Sequence, residues 1–260
     1  MITSPHNPRI KLLRALAGRS KERRAAGAFL AEGVRLVEDA LSAHFPFQFA
    51  LYRPDLSKRG LKLISDLREA GVDVEEVDPL VFRSASETET SQGVAAVLKL
   101  PEPGWEVQET PGFILIPDQI RDPGNLGSLI RSAAAAGVKA VIIPPGTTDP
   151  FAPKVIRAGM GAHFRMKIHS MTWQEIASSI TGIQVFLAAA DGQTSCWQSD
   201  FRQPLALIVG GEAAGASPAA RNLANHVINI PMPGKIESLN AGVAGAVLMF
   251  EVVRQRSEEQ

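Results

Sequence analysis

The chain has 260 residues, of which 45% are hydrophobic and 6% aromatic, with 22 Gly and 18 Pro. This composition is typical of an α/β protein with many turns and excludes a disordered or fibrous chain. The 27 basic and 27 acidic residues cancel, so net charge gives no argument for a nucleic-acid partner. The apolar runs are too short to span a bilayer, which excludes a membrane protein of the helical type.

The first hundred residues predict a small α/β domain, assigned to residues 1–100. Its predicted helices are Asn7–Leu16, Glu32–Ala43 and Leu61–Ala70, and its predicted strands are Phe47–Tyr52, Val72–Val77 and Val94–Leu98. A stretch rich in Pro and Gly follows without an apolar period, and we interpret residues 101–111 as a linker.

Strands and helices alternate in residues 112–260, which predicts a parallel sheet covered on both faces. The predicted strands are Phe113–Ile116, Ala140–Ile143, Gln184–Ala189, Leu205–Val209 and Val227–Ile230. The predicted helices are Asn125–Ala136, Trp173–Ile180, Ala216–Leu223 and Ser238–Val253. An apolar stripe on the last helix is expected to face the core, and it holds Leu239, Val243, Ala246, Val247, Phe250 and Val253.

Basic residues are concentrated in two segments. Met1–Arg24 contains seven basic residues and one acid, and Phe151–Gln174 contains four Lys or Arg and no acid. Local positive charge of this kind suits a phosphate backbone, although a plain solvated surface explains either segment equally well. The candidate RNA contacts are Arg9, Lys11, Arg23, Arg24, Arg157 and Arg165.

Cysteine usage and missing motifs exclude several classes of site. Cys196 is the only cysteine, so an intrachain disulfide and a cysteine metal cluster are excluded. The sequence has no P-loop, no HExxH, no GxSxG and no dinucleotide fingerprint after a strand. Met1–Lys11 is polar and lacks the apolar region of a secretory signal. We therefore expect a cytoplasmic protein without a metal site.

Three segments follow predicted strands and carry polar or glycine residues. The first, Asp118–Gly137, turns at Pro123-Gly124 and begins a helix at Asn125, with Arg131 six residues later. Taken alone, this segment is explained more simply by Asn125 as a helix N-cap and Arg131 as a solvated side chain.

The second segment, Leu205–Ser217, is a predicted buried strand that ends in Gly210, Gly211 and Glu212. Glycines at a strand's carboxyl end let a ligand approach the backbone, and Glu212 would either cap the next helix or contact that ligand. In the third, Ile230–Gly245, a proline-rich loop leads into a helix of small residues. Ser238 would there be a plain N-cap, and the small residues would allow close packing.

Together these segments resemble the SpoU/TrmH family of RNA ribose 2′-O-methyltransferases, which belong to the SPOUT superfamily. The resemblance rests on Asn125-Leu-Gly with Arg131, on Gly-x-Glu at 210–212, and on Ile230-Pro-Met followed by Ser238-Leu-Asn. It covers Phe113 to about Arg254. Upstream, Asn7-Pro-Arg-Ile-Lys11, Phe29-Leu-Ala-Glu-Gly33 and Gln92-Gly93 are similar to the small substrate-binding domain of many members.

The resemblance implies a C-terminal α/β domain with a deep trefoil knot, a smaller L30e-like α/β domain before it, and a homodimer with each site near the partner chain. It also implies S-adenosylmethionine (SAM) as cofactor. The implied cofactor-binding residues are Gly210, Gly211, Ile230, Met232 and Leu239. The implied catalytic and site-shaping residues are Asn125, Arg131, Glu212, Ser238 and Asn240. The helix after Asn240 departs from the family, with Gly242 where Ser is common, and we expect looser packing there.

The implied activity is methyl transfer from SAM to a ribose 2′-hydroxyl of RNA. Arg131 would act either as the base that takes the hydroxyl proton or as a bidentate grip on a phosphate. Ribosomal RNA of the 23S type is favoured because the extra N-terminal domain is typical of members directed at it. The alternatives are tRNA methylation and a non-catalytic RNA-binding relative. A nucleotide-dependent oxidoreductase is disfavoured because the dinucleotide fingerprint is missing.

Overall fold

The computed structural model describes residues 1–86, 88, 90–102, 112–211, 215–234 and 236–257. The chain divides into two compact units, residues 1–101 with 151–164, and residues 102–150 with 165–260. Phe151–Phe164 thus packs with the first unit, although the chain on both sides of it belongs to the second. No helix in the described residues is long and apolar enough to cross a membrane.

The first unit has a four-stranded sheet in the order β1-β4-β2-β3, with helices on both faces. Its helices are α1 (Pro8–Ala17), α2 (Ser20–Ala26), α3 (Val34–Ser42), α4 (Lys58–Glu69), α5 (Pro79–Arg83) and, later in the chain, α7 (Pro153–Gly159). Its strands are β1 (Ala28–Glu32), β2 (Phe47–Tyr52), β3 (Val74–Glu76) and β4 (Val94–Lys99). Strand β4 is antiparallel to β1 and β2, while β2 and β3 are parallel.

Strand β1 shows where the sequence prediction was wrong. The predicted helix began at Glu32, but Glu32 is the last residue of β1, and α3 begins at Val34 after Gly33. All five residues of β1 are buried because helices pack on both faces of the strand, so no apolar alternation marked it. Helices α2, α5 and α7, of five to seven residues, were not predicted either, because a helix this short shows a helical period only weakly.

The second unit has a seven-stranded sheet in its described residues, in the order β7-β6-β5-β10-β8-β11-β9, and every pairing in it is parallel. Its strands are β5 (Phe113–Asp118), β6 (Ala140–Ile143), β7 (Lys167–Ser170), β8 (Gln184–Ala188), β9 (Thr194–Ser195), β10 (Leu205–Gly210) and β11 (His226–Asn229). Its helices are α6 (Pro123–Ala135), α8 (Trp173–Ser179), α9 (Pro218–Leu223) and α10 (Ala241–Ser257). The parallel α/β fold predicted from the alternation of elements is therefore confirmed.

Helix α10 lies against α6 through its small residues. A Cβ on Gly245 would lie 2.2 Å from Leu129 Cδ2, and one on Gly242 would lie 3.3 Å from Ser128 Cβ. The buried face of α10 therefore holds Gly242, Gly245, Leu248, Met249 and Val252. The looser packing expected from Gly242 concerned the loop that would hold SAM and stays a prediction, whereas α6 fills the space that a side chain at Gly242 would take.

The predicted core stripe of α10 was wrong for this chain. Val243 and Phe250 are 50% and 49% exposed, and Ala246, Val247 and Val253 are only partly buried. The prediction failed because the glycines, which carry no apolar side chain, form the face that packs inward. The stripe is consequently an apolar surface that the described residues of the chain leave partly uncovered.

Gly245→Ala tests this packing. Ala favours a helix interior over Gly by about 1 kcal/mol, but here the new Cβ would clash with the buried Leu129. We expect the clash to dominate and the free energy of unfolding to fall by about 1–3 kcal/mol in urea denaturation. Gly112→Ala is the control, since no heavy atom lies within 4 Å of its Cβ position. An unchanged stability of Gly245→Ala would contradict the close contact.

Candidate active site

A cavity of about 530 Å³ opens at the edge of the second sheet where β8, β10 and β11 end. Ala188, Gly210 and Ile228 border it from these three strands, and further lining comes from Ile230, Pro231, Met232, Ile236, Ser238 and Leu239. Parallel strands all point the same way, so their carboxyl ends meet at one edge and form a crevice for ligands. The predicted strands thus place the cavity where such a fold binds small molecules.

The structure brings all five predicted cofactor-binding residues to this cavity. It is lined by Gly210, Gly211, Ile230, Met232 and Leu239, and Ser238 borders it as well. Two strand ends and one loop supply them. All five residues line this one cavity, and their role in binding a cofactor stays a prediction.

The two glycines at the end of β10 are needed because neighbouring backbone leaves no room for a side chain. A Cβ on Gly210 would lie 3.0 Å from the Ala216 nitrogen, and one on Gly211 would lie 2.2 Å from the Gln119 oxygen. The buried Asp118 holds the same turn, since its Oδ2 accepts from the Ser217 amide at 2.6 Å. The glycines therefore let the chain fold back beside β5 and shape the cavity wall. Glu212 lies outside the described residues.

Two asparagines join the first turns of α6 and α10. Asn240 Nδ2 donates to Asn125 Oδ1 at 2.8 Å, and Asn240 Oδ1 accepts from the Gly242 and Val243 amides at 2.9 and 3.2 Å. Asn240 is therefore the residue that caps α10, so the interpretation of Ser238 as its N-cap was wrong. One side chain both begins a helix and fixes its neighbour.

Asn125 is not the N-cap of α6. That position is held by Asp122, whose Oδ1 accepts from the Asn125 amide at 2.8 Å. The simpler interpretation of Asn125 was wrong because the helix begins two residues earlier, at Pro123, which is favoured in a first turn. The Asn125 side chain is left to bond to Asn240.

Arg131 lies on the solvent face of α6, about 9 Å along the helix axis from Asn125. No described residue gives its guanidinium a hydrogen bond or an ion pair. Long helical side chains point back toward the helix N-terminus, which directs Arg131 toward the end of α6 that carries Asn125. The five fork donors of the guanidinium are thus available to an anionic substrate.

The sequence interpretation missed two charged residues of the cavity, Asp191 and Arg221. Arg221 Nη1 lies 3.1 Å from Asp191 Oδ2, and the hydrogen bond from Arg221 holds the pKa of the Asp191 carboxyl below its usual range. Asp191 follows β8. Because ligands of parallel α/β sheets bind at the carboxyl ends of strands, its position in the sequence could have predicted it. Among the described residues, no cluster of His, Cys, Asp or Glu is suited to a metal ion.

Three of the six candidate RNA contacts have exposed side chains that form no ion pair with a described residue, namely Lys11, Arg24 and Arg165. Arg9 pairs with Asp73 and Glu75 and stacks on Phe49.

Arg23 is buried, and its Nη1 donates to the Leu16 and Gly18 oxygens at 2.7 and 2.9 Å. Arg23 thereby caps the C-terminal end of α1, so its role is structural. Arg157 is partly buried and lines a second cavity, in the first unit.

Comparison with known proteins gives the family of both units. The SpoU rRNA Methylase family model matches residues 112–250, and the MRM3-like substrate binding domain model matches residues 7–96. The chain is 33% identical to the 23S rRNA (guanosine(2553)-2'-O)-methyltransferase RlmP of Bacillus subtilis, over 96% of this chain and 98% of that protein. It is also 33% identical to the 23S rRNA (uridine(2479)-2'-O)-methyltransferase of Streptomyces viridochromogenes, over 98% of this chain and 92% of the relative.

Solved structures agree. An AdoMet-bound rRNA methyltransferase from Sinorhizobium meliloti superposes with a TM-score of 0.85 at 29% identity, covering 97% of each chain. The SpoU methyltransferase AviRb from Streptomyces viridochromogenes, in complex with AdoMet, gives a TM-score of 0.85 at 30% identity, over 97% of this chain and 99% of that one. The resemblance inferred from the motifs is confirmed: the chain belongs to the SpoU family of rRNA methylases.

Proposed function

We propose that this protein transfers the methyl group of SAM to a ribose 2′-hydroxyl of ribosomal RNA of the 23S type. The observation that carries the proposal is the cavity at the carboxyl ends of β8, β10 and β11, next to the linked asparagines of α6 and α10. The named activities of RlmP and the Streptomyces enzyme support the same reaction. Those two relatives act on guanosine and on uridine, so the family does not fix the base.

The cavity suits SAM in size and in lining. A volume of about 530 Å³ lies within the range of small-molecule sites. Ile228, Ile230 and Leu239 offer apolar surface to a purine ring, and backbone groups at the ends of β8 and β10 offer hydrogen bonds. Asp191 adds a negative charge to the wall, and a ligand that carries ribose hydroxyls or an ammonium group can donate to it.

When bound, the sulfonium of SAM supplies a methyl group that is already activated for in-line displacement. The chain's own residues then have two tasks: they hold the ribose oxygen in line, and they stabilise the negative charge that develops on it as its proton passes to water. The Asn125–Asn240 bond fixes the first turns of both helices, so the groups there are oriented before substrate binds.

We assign Arg131 to a phosphate grip rather than to proton removal. A guanidinium keeps its proton, since its pKa lies above about 12, and a nearby phosphate favours the charged form further. Its planar fork binds two phosphate oxygens at once and stabilises negative charge on the reacting oxygen. Glu212 and Ser238 complete the proposed catalytic set, with Ser238 on the cavity wall.

We also assign RNA contacts to four basic residues. Lys11, Arg24 and Arg165 are exposed, and Arg157 is partly buried. Because the substrate is ribosomal RNA, we place the protein in the cytoplasm, where ribosomes work. The trefoil knot that the family resemblance implies remains part of the proposal.

We propose further that two copies pair through α10. Val243 and Phe250 lie on one face of the helix seven residues apart, with Ala246 and Val247 between them. A continuous apolar stripe on a helix needs a cover, and a second copy supplies an identical stripe.

Arg131→Ala tests the proposed chemistry. Transfer of labelled methyl from SAM to ribosomal RNA that lacks the modification should yield a 2′-O-methyl nucleoside after digestion. We expect kcat to fall about 10²–10³-fold in the variant, while stability and SAM affinity stay unchanged because the side chain is exposed. Lys139→Ala, an exposed cation beyond the end of α6, should keep full activity. Undiminished transfer by Arg131→Ala would overturn the assignment.

Arg131→Lys separates the grip from proton removal. Lysine keeps the charge but loses the two-pronged geometry, so a grip predicts partial activity that declines at high pH, where lysine loses its proton and its charge. A catalytic base would instead make the rate climb as pH approaches the pKa of lysine, near 10.4. The pH profile of kcat decides between them.

Basic contacts are tested by Lys11→Ala combined with Arg24→Ala. If both residues contact phosphates, RNA affinity should fall. The plot of log affinity against log salt should also become shallower, with a slope smaller in magnitude by about 2. Arg23→Ala should instead lower the free energy of unfolding by about 1–3 kcal/mol, because it leaves buried carbonyls unsatisfied. An unchanged salt slope in the double variant would remove these two residues from the RNA surface.

The dimer is tested by Val243→Asp with Phe250→Asp. We expect wild type to elute as a dimer in size-exclusion chromatography with light scattering, and the variant as a folded monomer. Leu80→Asp, which alters an exposed apolar residue of the first unit, should leave the dimer intact. A monomeric wild type, or a variant that still dimerises, would contradict this surface assignment.

A further inference from the structure

The first unit contains a cavity of about 340 Å³ that the active site does not use. Its walls come from the end of β1, the start of α3, Thr88, Thr90, Gln92 and α7. Two sequence motifs meet there, Ala31-Glu-Gly33 and Gln92-Gly93, which gave the resemblance to a substrate-binding domain. The methyl-transfer chemistry gives neither motif a task.

Glu32 places an unsatisfied acceptor at this cavity. Its side chain is 7% exposed, and its Oε1 accepts from the hydroxyls of Ser86, Thr88 and Ser91, the last two at 2.6 and 2.7 Å. The other oxygen, Oε2, is buried and accepts no hydrogen bond from a described residue. A buried carboxylate oxygen without a donor is unfavourable. The cavity therefore favours a ligand that brings an N–H group.

The backbone around Glu32 is held rigidly. Gln92 Oε1 accepts from the Val34 amide at 2.8 Å, which ties the first turn of α3 to the segment before β4. Gly33 has φ +112°, and a Cβ there would lie 3.2 Å from Gln92 Oε1, so a side chain is disfavoured on both counts. The backbone of Glu32 is thus set in place before any ligand arrives, and the buried Oε2 becomes available to a ligand when the carboxylate turns toward the cavity.

The rim carries charge and apolar surface. Arg35 and Arg157 supply two guanidinium groups, Asp39 supplies one carboxylate, and Met160 is 43% exposed at the edge. Arginine suits phosphate, and a thioether suits the face of an aromatic ring. A group with an amino donor, a flat ring and a phosphate would meet all of these side chains.

We propose that this cavity binds one unpaired nucleotide of the RNA substrate, with an amino group of its base donating to Glu32 Oε2 and its phosphate held by Arg35 and Arg157. The inference rests on the proposed function, since that function supplies RNA as the ligand. Single-stranded bases are read by their edges in this way, and a carboxylate accepts from the cytosine amino group. Uracil presents a carbonyl at the same position, and that oxygen would face the acceptor.

The test compares fluorescent hexanucleotides of cytidine and of uridine, which differ at the ring position in question. The full chain is titrated with each, and affinity is measured by anisotropy. We expect wild type to bind the cytidine probe about tenfold more tightly, as one hydrogen bond to a charged group implies. In Glu32→Gln the amide nitrogen can donate to the uracil carbonyl, so the preference should vanish or reverse.

Glu38→Gln is the matched control, because Glu38 lies on the adjacent helix α3, pairs with Arg59 and does not line the cavity. It should keep the cytidine preference, and so should Arg131→Ala, which alters the active site alone. Arg35→Ala should weaken both probes equally. Thermal denaturation establishes whether Glu32→Gln folds, and the two wild-type affinities test the proposal even if it does not.

Equal binding of both probes by wild type would overturn the proposal, and so would a cytidine preference that survives in folded Glu32→Gln. Methyl transfer is measured separately. A base preference without methyl transfer would sink the proposed function and leave this nucleotide site standing. Methyl transfer without a base preference would overturn the nucleotide site and leave the proposed function standing.

Discussion

The close contact between α10 and α6 is the constraint on which the rest of the second unit depends. Gly245 has no side chain, and Leu129 occupies the space that one would need. That contact brings Asn240 within hydrogen-bond distance of Asn125 and fixes where the segment 230–239 can run. Since this segment forms part of the cavity wall, two glycines on a helix govern the shape of a site that they do not line.

The parallel sheet forms the other part of the cavity wall. Strands β8, β10 and β11 end at one edge, and the chain folds back there only because Gly210 and Gly211 leave room for Ala216 and Gln119. Buried Asp118 ties this turn to β5. The cofactor cavity is thus built mostly from backbone and apolar side chains, while the polar groups proposed for chemistry lie on the first turns of two helices.

Much of the second unit could be predicted from the sequence because its strands are continuous apolar runs between turn residues. Strand β6, Ala140–Ile143, matches its predicted bounds. The caps could not be predicted, since Asp122 and Asn125, or Ser238 and Asn240, are equally good capping residues and tertiary contacts choose between them. The inward face of α10 was mistaken because glycine carries no hydrophobic signal.

The cavity residues followed from family motifs rather than from periodicity, and Asp191 and Arg221 were missed because no motif named them. Glu32 illustrates the same limit in the first unit. Its sequence motif was evident, but only the structure shows one carboxylate oxygen satisfied by three hydroxyls and the other with no partner among the described residues. Sequence patterns locate elements well, whereas hydrogen-bond satisfaction depends on the packed chain.

The most direct test of this account is a double-mutant cycle on the rate of methyl transfer, with Asn125→Ala, Asn240→Ala and the combined variant. If the two side chains act as one hydrogen-bonded unit, the double variant should be about as slow as the slower single variant. Losses that multiply independently would mean that the contact between α6 and α10 does not assemble the site.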